Sequence, residues 1–186
     1  MFDKVLTAKS LRNLNEELNL SRYQRNRYAR DRAYMEFQCV LSKKFLSKYG
    51  LDEKIFSLPK TYFPNFRLKP ERISAKANLF GDATFPHRDS GNTLVTALLY
   101  CNEHWNADWG GETVFFYRSL DAALAISVQP SRLVLFEGKI PHKTGVPQKN
   151  FLGSRIGLQV RFLGKQLARK NGKLIELEKQ GRIIHL

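Results

Sequence analysis

A chain of 186 residues with 42% hydrophobic and 12% aromatic content has the size and apolar content of one globular domain. It contains no apolar run of about 18 residues, and its first ten residues lack the apolar segment of a secretory signal. These absences argue against a membrane or secreted protein, so we expect a cytoplasmic location and no membrane partner. The two cysteines, Cys39 and Cys101, lie in separate apolar stretches, which argues against a disulfide framework or a zinc knuckle.

The charge is strongly basic, because 31 lysine and arginine residues against 17 aspartate and glutamate residues give a net charge of +14. Such a surface could bind an acidic peptide, an anionic surface or nucleic acid. The alternative is a surface that is basic without any anionic partner, since the excess is spread along the chain. The oligomeric state stays open.

Apolar residues recur at helical spacing in two segments of the first sixty residues, which predicts two helices. The first helix is defined by Leu11, Leu14 and Leu18. The second is defined by Tyr34, Phe37, Val40, Leu41 and Phe45. Ser21 could cap the second helix at its start, and Gly50 is expected to end it.

A basic, aromatic stretch separates the two predicted helices and includes Tyr23 and Tyr28. Its five arginines are Arg22, Arg25, Arg27, Arg30 and Arg32. Arginine with tyrosine could hold phosphates and stack on bases. The alternative is the solvated face of a helix.

After Pro59, Pro64 and Pro70 the sequence changes to short β-branched and aromatic runs between Gly, Asp, Asn and Pro. We expect strands near Ile73–Phe80, Thr93–Cys101, Glu112–Tyr117, Leu124–Val128, Arg132–Glu137, Lys143–Val146 and Arg155–Phe162. Short strands at such intervals predict an α+β fold, an antiparallel sandwich or barrel with helices packed on one sheet. We therefore expect one domain over residues 1–186, with a helical buttress (1–60), a core (61–163) and a C-terminal extension (164–186). The Asn171-Gly172 turn in that extension fits a hairpin, a short helix or a partner-binding end.

Three polar features follow one another in the strand-rich half. His87-Arg88-Asp89 places His87 and Asp89 on the same side of an extended segment, and His142 follows the strand expected before it. Two imidazoles and one carboxylate are the ligands that leave open positions on Fe(II). Arg155 begins the last predicted strand, where a guanidinium could bind a carboxylate with two hydrogen bonds.

The order of these motifs resembles the prolyl 4-hydroxylase-like branch of the Fe(II)/2-oxoglutarate-dependent dioxygenases. The resemblance covers about half of the chain, through Phe85-Pro-His-Arg-Asp, Leu98-Leu-Tyr-Cys-Asn, Trp109-Gly-Gly-Glu-Thr-Val-Phe-Phe, Pro130-Ser-Arg-Leu-Val-Leu-Phe, Pro141-His and Arg155. It implies a double-stranded β-helix, or jelly roll, with the metal in its mouth.

The resemblance also implies roles for single residues. His87, Asp89 and His142 correspond to the iron ligands, and Arg155 corresponds to the residue that binds the distal carboxylate of 2-oxoglutarate. Further expected contacts to co-substrate, substrate or ligands are Tyr100 (or Leu99, if the strand register differs), Asn78 (where the family often has tyrosine), Thr144 and Arg161. We expect His104 and His185 not to be ligands.

The activity implied by the resemblance is hydroxylation of a C–H bond, with Fe(II), 2-oxoglutarate and O₂ consumed or bound, succinate and CO₂ as co-products, and ascorbate as a reductant. A prolyl residue of a peptide or protein is the substrate that the resemblance favours. The +14 charge and the spacing of Arg155 and Arg161 keep AlkB-like oxidative demethylation of nucleic acid as an alternative. A free amino acid or another small metabolite is a third possible substrate. A non-catalytic basic module that binds nucleic acid or protein is the alternative outside enzymology.

Overall fold

The computed structural model describes residues 1–28, 34–64, 66–82, 84–89 and 92–166. Arg30, Arg32 and the turn predicted at Asn171-Gly172 lie outside these residues. The helices within them are α1 (Ala8–Asn19), α2 (Lys43–Lys48) and α3 (Leu51–Tyr62). The strands within them are β1 (Gln24–Tyr28), β2 (Tyr34–Val40), β3 (Phe66–Asn78), β4 (Thr93–Tyr100), β5 (Thr113–Phe116), β6 (Ala122–Ile126), β7 (Leu133–Glu137), β8 (His142–Thr144) and β9 (Arg155–Gln166). No helix among them is long and apolar enough to cross a membrane.

Two antiparallel sheets form the barrel. The larger sheet has the strand order β1-β2-β3-β9-β4-β7, and the smaller has the order β6-β5-β8. Every pairing within them is antiparallel. The expected α+β jelly roll is confirmed.

The sequence alternation of β4 shows how the larger sheet separates two apolar clusters. Val95, Ala97 and Leu99 face the helices and belong to the larger cluster. Leu98 and Tyr100 face the smaller sheet and belong to a second cluster inside the barrel. Because both faces are covered, β4 reads as a nearly continuous apolar run.

Helix α1 packs on the outer face of the larger sheet. Thr7 caps its start by accepting a hydrogen bond from the backbone N–H of Ser10. Leu14 and Leu18 are fully buried on its inner face, and truncating either to alanine is expected to cost about 2–5 kcal/mol. The prediction of this helix is confirmed.

The second predicted helix is wrong over its first half, because residues from Tyr34 to Val40 form strand β2. The segment also alternates with a period of two, with Glu36 and Gln38 on one face and Phe37 on the other, and pairing with β1 and β3 selects that period. The described part of the arginine stretch is likewise loop and strand instead of a helix face, and the Arg25 guanidinium lies 5.9 Å from the ring of Phe37.

The predicted cap at Ser21 is also wrong. The hydroxyl of Ser21 donates to the carbonyl of Glu17, so it closes α1 instead of opening another helix. Ser42 is the residue that caps α2, accepting from the N–H of Phe45. The break expected at Gly50 is confirmed, because Gly50 adopts φ +61° between α2 and α3.

All seven strands expected in the second half are confirmed, with differences at their ends. The largest difference concerns β3 and β9, which have 13 and 12 residues and pair from Phe66 opposite Gln166 to Asn78 opposite Arg155. Strand β4 joins β9 only from Thr93, opposite Leu163. The β3–β9 ribbon therefore extends beyond the barrel at the end where β9 finishes.

Candidate active site

Three side chains of the kinds that bind metal meet inside the barrel. His87 and Asp89 lie on the extended segment before β4, and His142 begins β8. Backbone hydrogen bonds lock the segments together: His87 N–H to the carbonyl of His142 (3.0 Å), the reverse bond (2.8 Å), and Asp89 N–H to the carbonyl of Gly138 (2.8 Å). One ligand atom from each of the three side chains lies within 4.8 Å of the others, so the set could hold a metal ion.

Both histidines are prepared for metal binding. The Nδ1 atom of His87 lies 2.9 Å from the carbonyl oxygen of Phe85, and Nδ1 of His142 lies 2.9 Å from that of Ile140. A proton on Nδ1 leaves the Nε2 lone pair free for a ligand bond. Burial and the neighbouring His87 lower the pKa of His142 to about 4, and burial lowers the pKa of His87. Both rings are therefore uncharged near neutral pH.

Asp89 is held at both oxygens. The hydroxyl of Thr96 donates to Oδ2, and a guanidinium nitrogen of Arg161 lies 2.6 Å from Oδ1. Burial raises the pKa of Asp89, but the nearby His142, Arg161 and Thr96 outweigh it and hold that pKa below its usual range. Asp89 is thus an ionised carboxylate in a fixed orientation.

Arg155 lies deeper in the barrel and is 1% exposed. Its Nε donates to the carbonyl of Gly111 (2.6 Å), one terminal nitrogen donates to the hydroxyl of Thr113 (3.2 Å), and its guanidinium carbon lies 5.1 Å from the centre of the Tyr100 ring. No carboxylate of the described residues lies within ion-pair distance of it. A buried cation without a counter-ion is costly, which favours an anionic ligand here.

The glycine pair before β5 permits this arrangement. Gly110 and Gly111 adopt φ of +66° and +77°. A Cβ at Gly111 would lie 2.9 Å from the Trp105 ring and 3.2 Å from Cδ of Arg155. Only a residue without a side chain lets the backbone approach the guanidinium so closely.

Asn78 completes the polar surface beside Arg155. It lies opposite Arg155 in the β3–β9 pairing and is 1% exposed. Both polar atoms of its side chain lack a hydrogen-bond partner among the described residues. Since a buried amide without partners is unfavourable, the pair of Arg155 and Asn78 is suited to a carboxylate ligand.

Comparison with protein families agrees with this geometry. Residues 75–160 match the model of the 2OG-Fe(II) oxygenase superfamily. This part of the chain is a 2OG-Fe(II) oxygenase domain. The cofactors of the domain are Fe(II), 2-oxoglutarate and O₂, and the donor set and the buried cation fit the first two.

Solved structures show the same fold at low identity. A prolyl-4-hydroxylase from Pseudomonas putida has TM-score 0.68 and 17% identity over 87% of this chain and 90% of that one. A prolyl hydroxylase from Trichoplax adhaerens, in complex with a hypoxia inducible factor peptide fragment, has TM-score 0.68 and 16% identity over 87% and 81%. The epimerase SnoN from nogalamycin biosynthesis has TM-score 0.66 and 13% identity over 89% and 79%. No curated protein sequence matches the chain.

The other residues predicted to contact co-substrate, substrate or ligands are Tyr100, Thr144 and Arg161. Tyr100, not Leu99, faces the barrel interior, and its hydroxyl donates to Thr113 (2.8 Å). Thr144 pairs with Thr113 across β5 and β8, and its carbonyl accepts a hydrogen bond from the hydroxyl of Thr84 (2.6 Å). Arg161 contacts Asp89 directly, as described above.

His104 is exposed and lies outside the group of potential ligands. Its ring centre is 5.6 Å from that of Trp109, which stacks on Phe151 at 4.7 Å. Trp105 packs on the same phenylalanine at 4.6 Å, so these rings form one aromatic cluster beside the glycine pair. His185 lies outside the described residues.

Several residues of the site were missed by sequence reasoning. Lys76 and Glu36 form an ion pair at 3.0 Å, with side chains 12% and 4% exposed. Lys76 stands two residues before Asn78, and that spacing would have placed it on the same face of a strand. Glu36 was missed because the sequence pattern predicted a helix where the structure has strand β2. Thr96 and Thr113, which orient Asp89 and Arg155, carry no spacing signal of their own.

Proposed function

We propose that the protein hydroxylates an unactivated C–H bond of a peptide or protein, with a prolyl residue as the favoured target and succinate and CO₂ as co-products. The observation that carries the proposal is the shared interior of the barrel, where a His-Asp-His ligand set and the uncompensated Arg155 lie together. Iron supplies the oxidative chemistry when bound. The residues of the chain hold it, orient the co-substrate and exclude water.

Each residue has a proposed role in this arrangement. His87, Asp89 and His142 hold Fe(II), since they offer the neutral imidazoles and ionised carboxylate that this metal accepts. Thr96 and Arg161 fix the orientation of Asp89.

The co-substrate has its own set of contacts. Arg155 binds the distal carboxylate of 2-oxoglutarate, while Asn78 supplies an amide beside it. Tyr100 and Thr113 hold Arg155 in place. Thr144 lines the smaller sheet next to Thr113.

The preference for a prolyl target rests on the solved structures. Two of the three structures named above are prolyl hydroxylases, one of them in complex with a peptide. SnoN has the same fold and is an epimerase, so fold alone leaves the reaction open. The complete ligand set disfavours a non-catalytic binding module. Location in the cytoplasm, one domain over the whole chain and ascorbate as reductant stay predictions.

The test is turnover by the purified full chain with Fe(II), 2-oxoglutarate and O₂. We expect succinate release that increases with proline-containing peptides, and peptide product that gains the mass of one oxygen atom. His142→Ala should abolish both signals, whereas His104→Ala, which replaces an exposed histidine outside the ligand set, should retain them.

Other outcomes would redirect the assignment. Release of formaldehyde from methylated single-stranded DNA or RNA, without peptide oxidation, would establish the demethylase alternative. A folded, iron-loaded protein that releases no succinate with any substrate class would favour the binding module.

A further inference from the structure

The β3–β9 ribbon carries a groove at the end of the barrel where Asp89 lies. Arg161 of β9, 2.6 Å from Asp89, marks the inner end of this surface. Leu163 lies two residues further along β9 and so faces the same side. Lys69 pairs with Leu163, and Arg67 lies two residues beyond Lys69 on β3. The site-facing side of the ribbon therefore leads from the metal-binding group outward past two cations.

The groove has a volume of about 850 Å³. Its lining residues are Arg67, Leu68, Lys69, Asn92, Thr93, Leu94, Leu163 and Gly164. Leu163 is half-buried on the site-facing side, whereas Leu68 and Leu94 pack with the larger apolar cluster on the helix-facing side. The side chains of Arg67 and Lys69 are exposed and form no ion pair with any described residue.

The distance between the metal-binding group and the groove determines which residue of a bound peptide could lie in the groove. Two strand residues span about 6.6 Å, so Leu163 lies about that far beyond Arg161, and Arg67 lies about 13 Å beyond it. An extended peptide advances about 3.3 Å per residue. A side chain in this groove would therefore belong to a residue about two to four positions from the one that is oxidised.

Charge and shape select the kind of occupant. Two exposed cations beside Leu163 on the site-facing side are complementary to a segment with acidic and aliphatic side chains. Residues 167–186 of the chain are a poor match, because they contain five lysine and arginine residues against two glutamates. Single-stranded nucleic acid usually stacks its bases on aromatic side chains, and none lines the described groove.

We propose that this groove binds an acidic segment of the substrate polypeptide, with the acidic residues two to four positions from the oxidised residue. The proposal rests on the proposed function, since it assigns a substrate class to the same site. It also gives one use to the basic character of the protein.

Binding can be measured by fluorescence anisotropy with labelled synthetic peptides and the full chain. One peptide carries a central proline, aspartates about three residues to either side and leucines beside them; the other carries lysines in place of the aspartates. The groove variant is Arg67→Glu/Lys69→Glu. The matched control is Lys9→Glu/Lys44→Glu, which changes the net charge equally at exposed lysines on α1 and α2.

We expect the wild type to prefer the acidic peptide, and the groove variant to bind it about tenfold more weakly. The control should change this affinity by less than about threefold. The groove variant should gain affinity for the lysine peptide, since its surface charge is reversed.

Equal losses in both double variants would show that net charge alone matters and would overturn the proposal, as would equal affinity of the wild type for both peptides. A groove variant that loses affinity for a single-stranded oligonucleotide but not for the acidic peptide would assign the groove to nucleic acid instead. Because anisotropy needs no turnover, a groove that prefers acidic peptides in a protein that oxidises none would contradict only the proposed reaction. Oxidation of proline peptides without any charge preference would contradict only the groove.

Discussion

Asn78 of β3 lies directly across from Arg155 of β9, and the two side chains are each 1% exposed. The amide has no hydrogen-bond partner and the guanidinium has no acidic partner among the described residues. A carboxylate that binds between the sheets would therefore give the amide a hydrogen-bond partner and the guanidinium a counter-ion. This shared need accounts for a polar pair inside an otherwise apolar barrel.

Replacing Asn78 by leucine should have opposite effects on stability and on co-substrate binding. Removal of the unpartnered amide should raise the free energy of unfolding of the ligand-free protein by about 1–3 kcal/mol. The affinity for 2-oxoglutarate should fall. Chemical denaturation and 2-oxoglutarate titration measure the two effects.

Asn102→Leu is the matched control for Asn78→Leu. Asn102 is also buried, but its amide donates to the carbonyl of Ser154 and accepts from the N–H of Ile156, both at 2.8 Å. Its replacement should destabilise the fold. If Asn78→Leu destabilised the protein as much as Asn102→Leu, the Asn78 amide would have partners after all.

Two threonines should separate metal binding from co-substrate binding. Thr96 holds Asp89, whereas Thr113 holds Arg155 and Tyr100. Thr96→Val should lower the affinity for Mn(II), used as an iron substitute, by about 10- to 100-fold. Thr113→Val should leave Mn(II) binding near the wild-type value and weaken 2-oxoglutarate binding. Identical effects of both variants in calorimetric titrations would contradict these separate roles.

The sequence predicts an antiparallel sandwich or barrel well, because short runs rich in β-branched and aromatic residues are separated by turn residues. The jelly roll itself was implied by the family resemblance. The metal-binding group was also predictable, since a His-x-Asp motif and a later histidine, His142, follow one another along the sequence in the order that the family shows. The position of β2 was not, because Tyr34, Phe37 and Val40 satisfy a helical period while the neighbouring strands impose a period of two. The ion pair of Glu36 and Lys76 joins residues far apart in sequence, so no local pattern reveals it.

The glycine turn should be sensitive to a single methyl group. Gly111→Ala places a Cβ 2.9 Å from Trp105 and 3.2 Å from Arg155, in addition to straining a backbone with φ +77°. Gly81→Ala adds a similar backbone strain at φ +85° but meets nothing within 4 Å. In both variants, backbone strain should lower the free energy of unfolding by about 1–3 kcal/mol. Only Gly111→Ala should lower the free energy of unfolding by more than this and also weaken 2-oxoglutarate binding. Thermal unfolding with and without 2-oxoglutarate measures both effects.

The stability of the metal-free protein should depend on pH through His142. Its pKa is lowered to about 4 in the fold by burial and by His87, so the unfolded chain binds a proton more readily below its ordinary pKa near 6.5. The stabilisation is present above pH 6.5 and is lost as the pH falls toward 4, with a slope of at most about 1.4 kcal/mol per pH unit. Urea unfolding over this range should show a shallower slope in His142→Gln, with His104→Gln as the exposed control. An unchanged slope in His142→Gln would assign the pH dependence to other groups.

The most direct test of the central claim is anaerobic titration of the Fe(II)-loaded protein with 2-oxoglutarate, followed by the visible charge-transfer absorption of a chelated keto acid. Wild type should develop the band, and His142→Ala should not. Arg155→Ala should require about 100-fold more 2-oxoglutarate, because a buried charge-assisted contact is lost. Arg155→Lys should fall between them, since lysine keeps the charge but not the paired hydrogen bonds. A folded, iron-loaded wild type that gave no band, or an Arg155→Ala variant that titrated like wild type, would contradict the proposed oxygenase site.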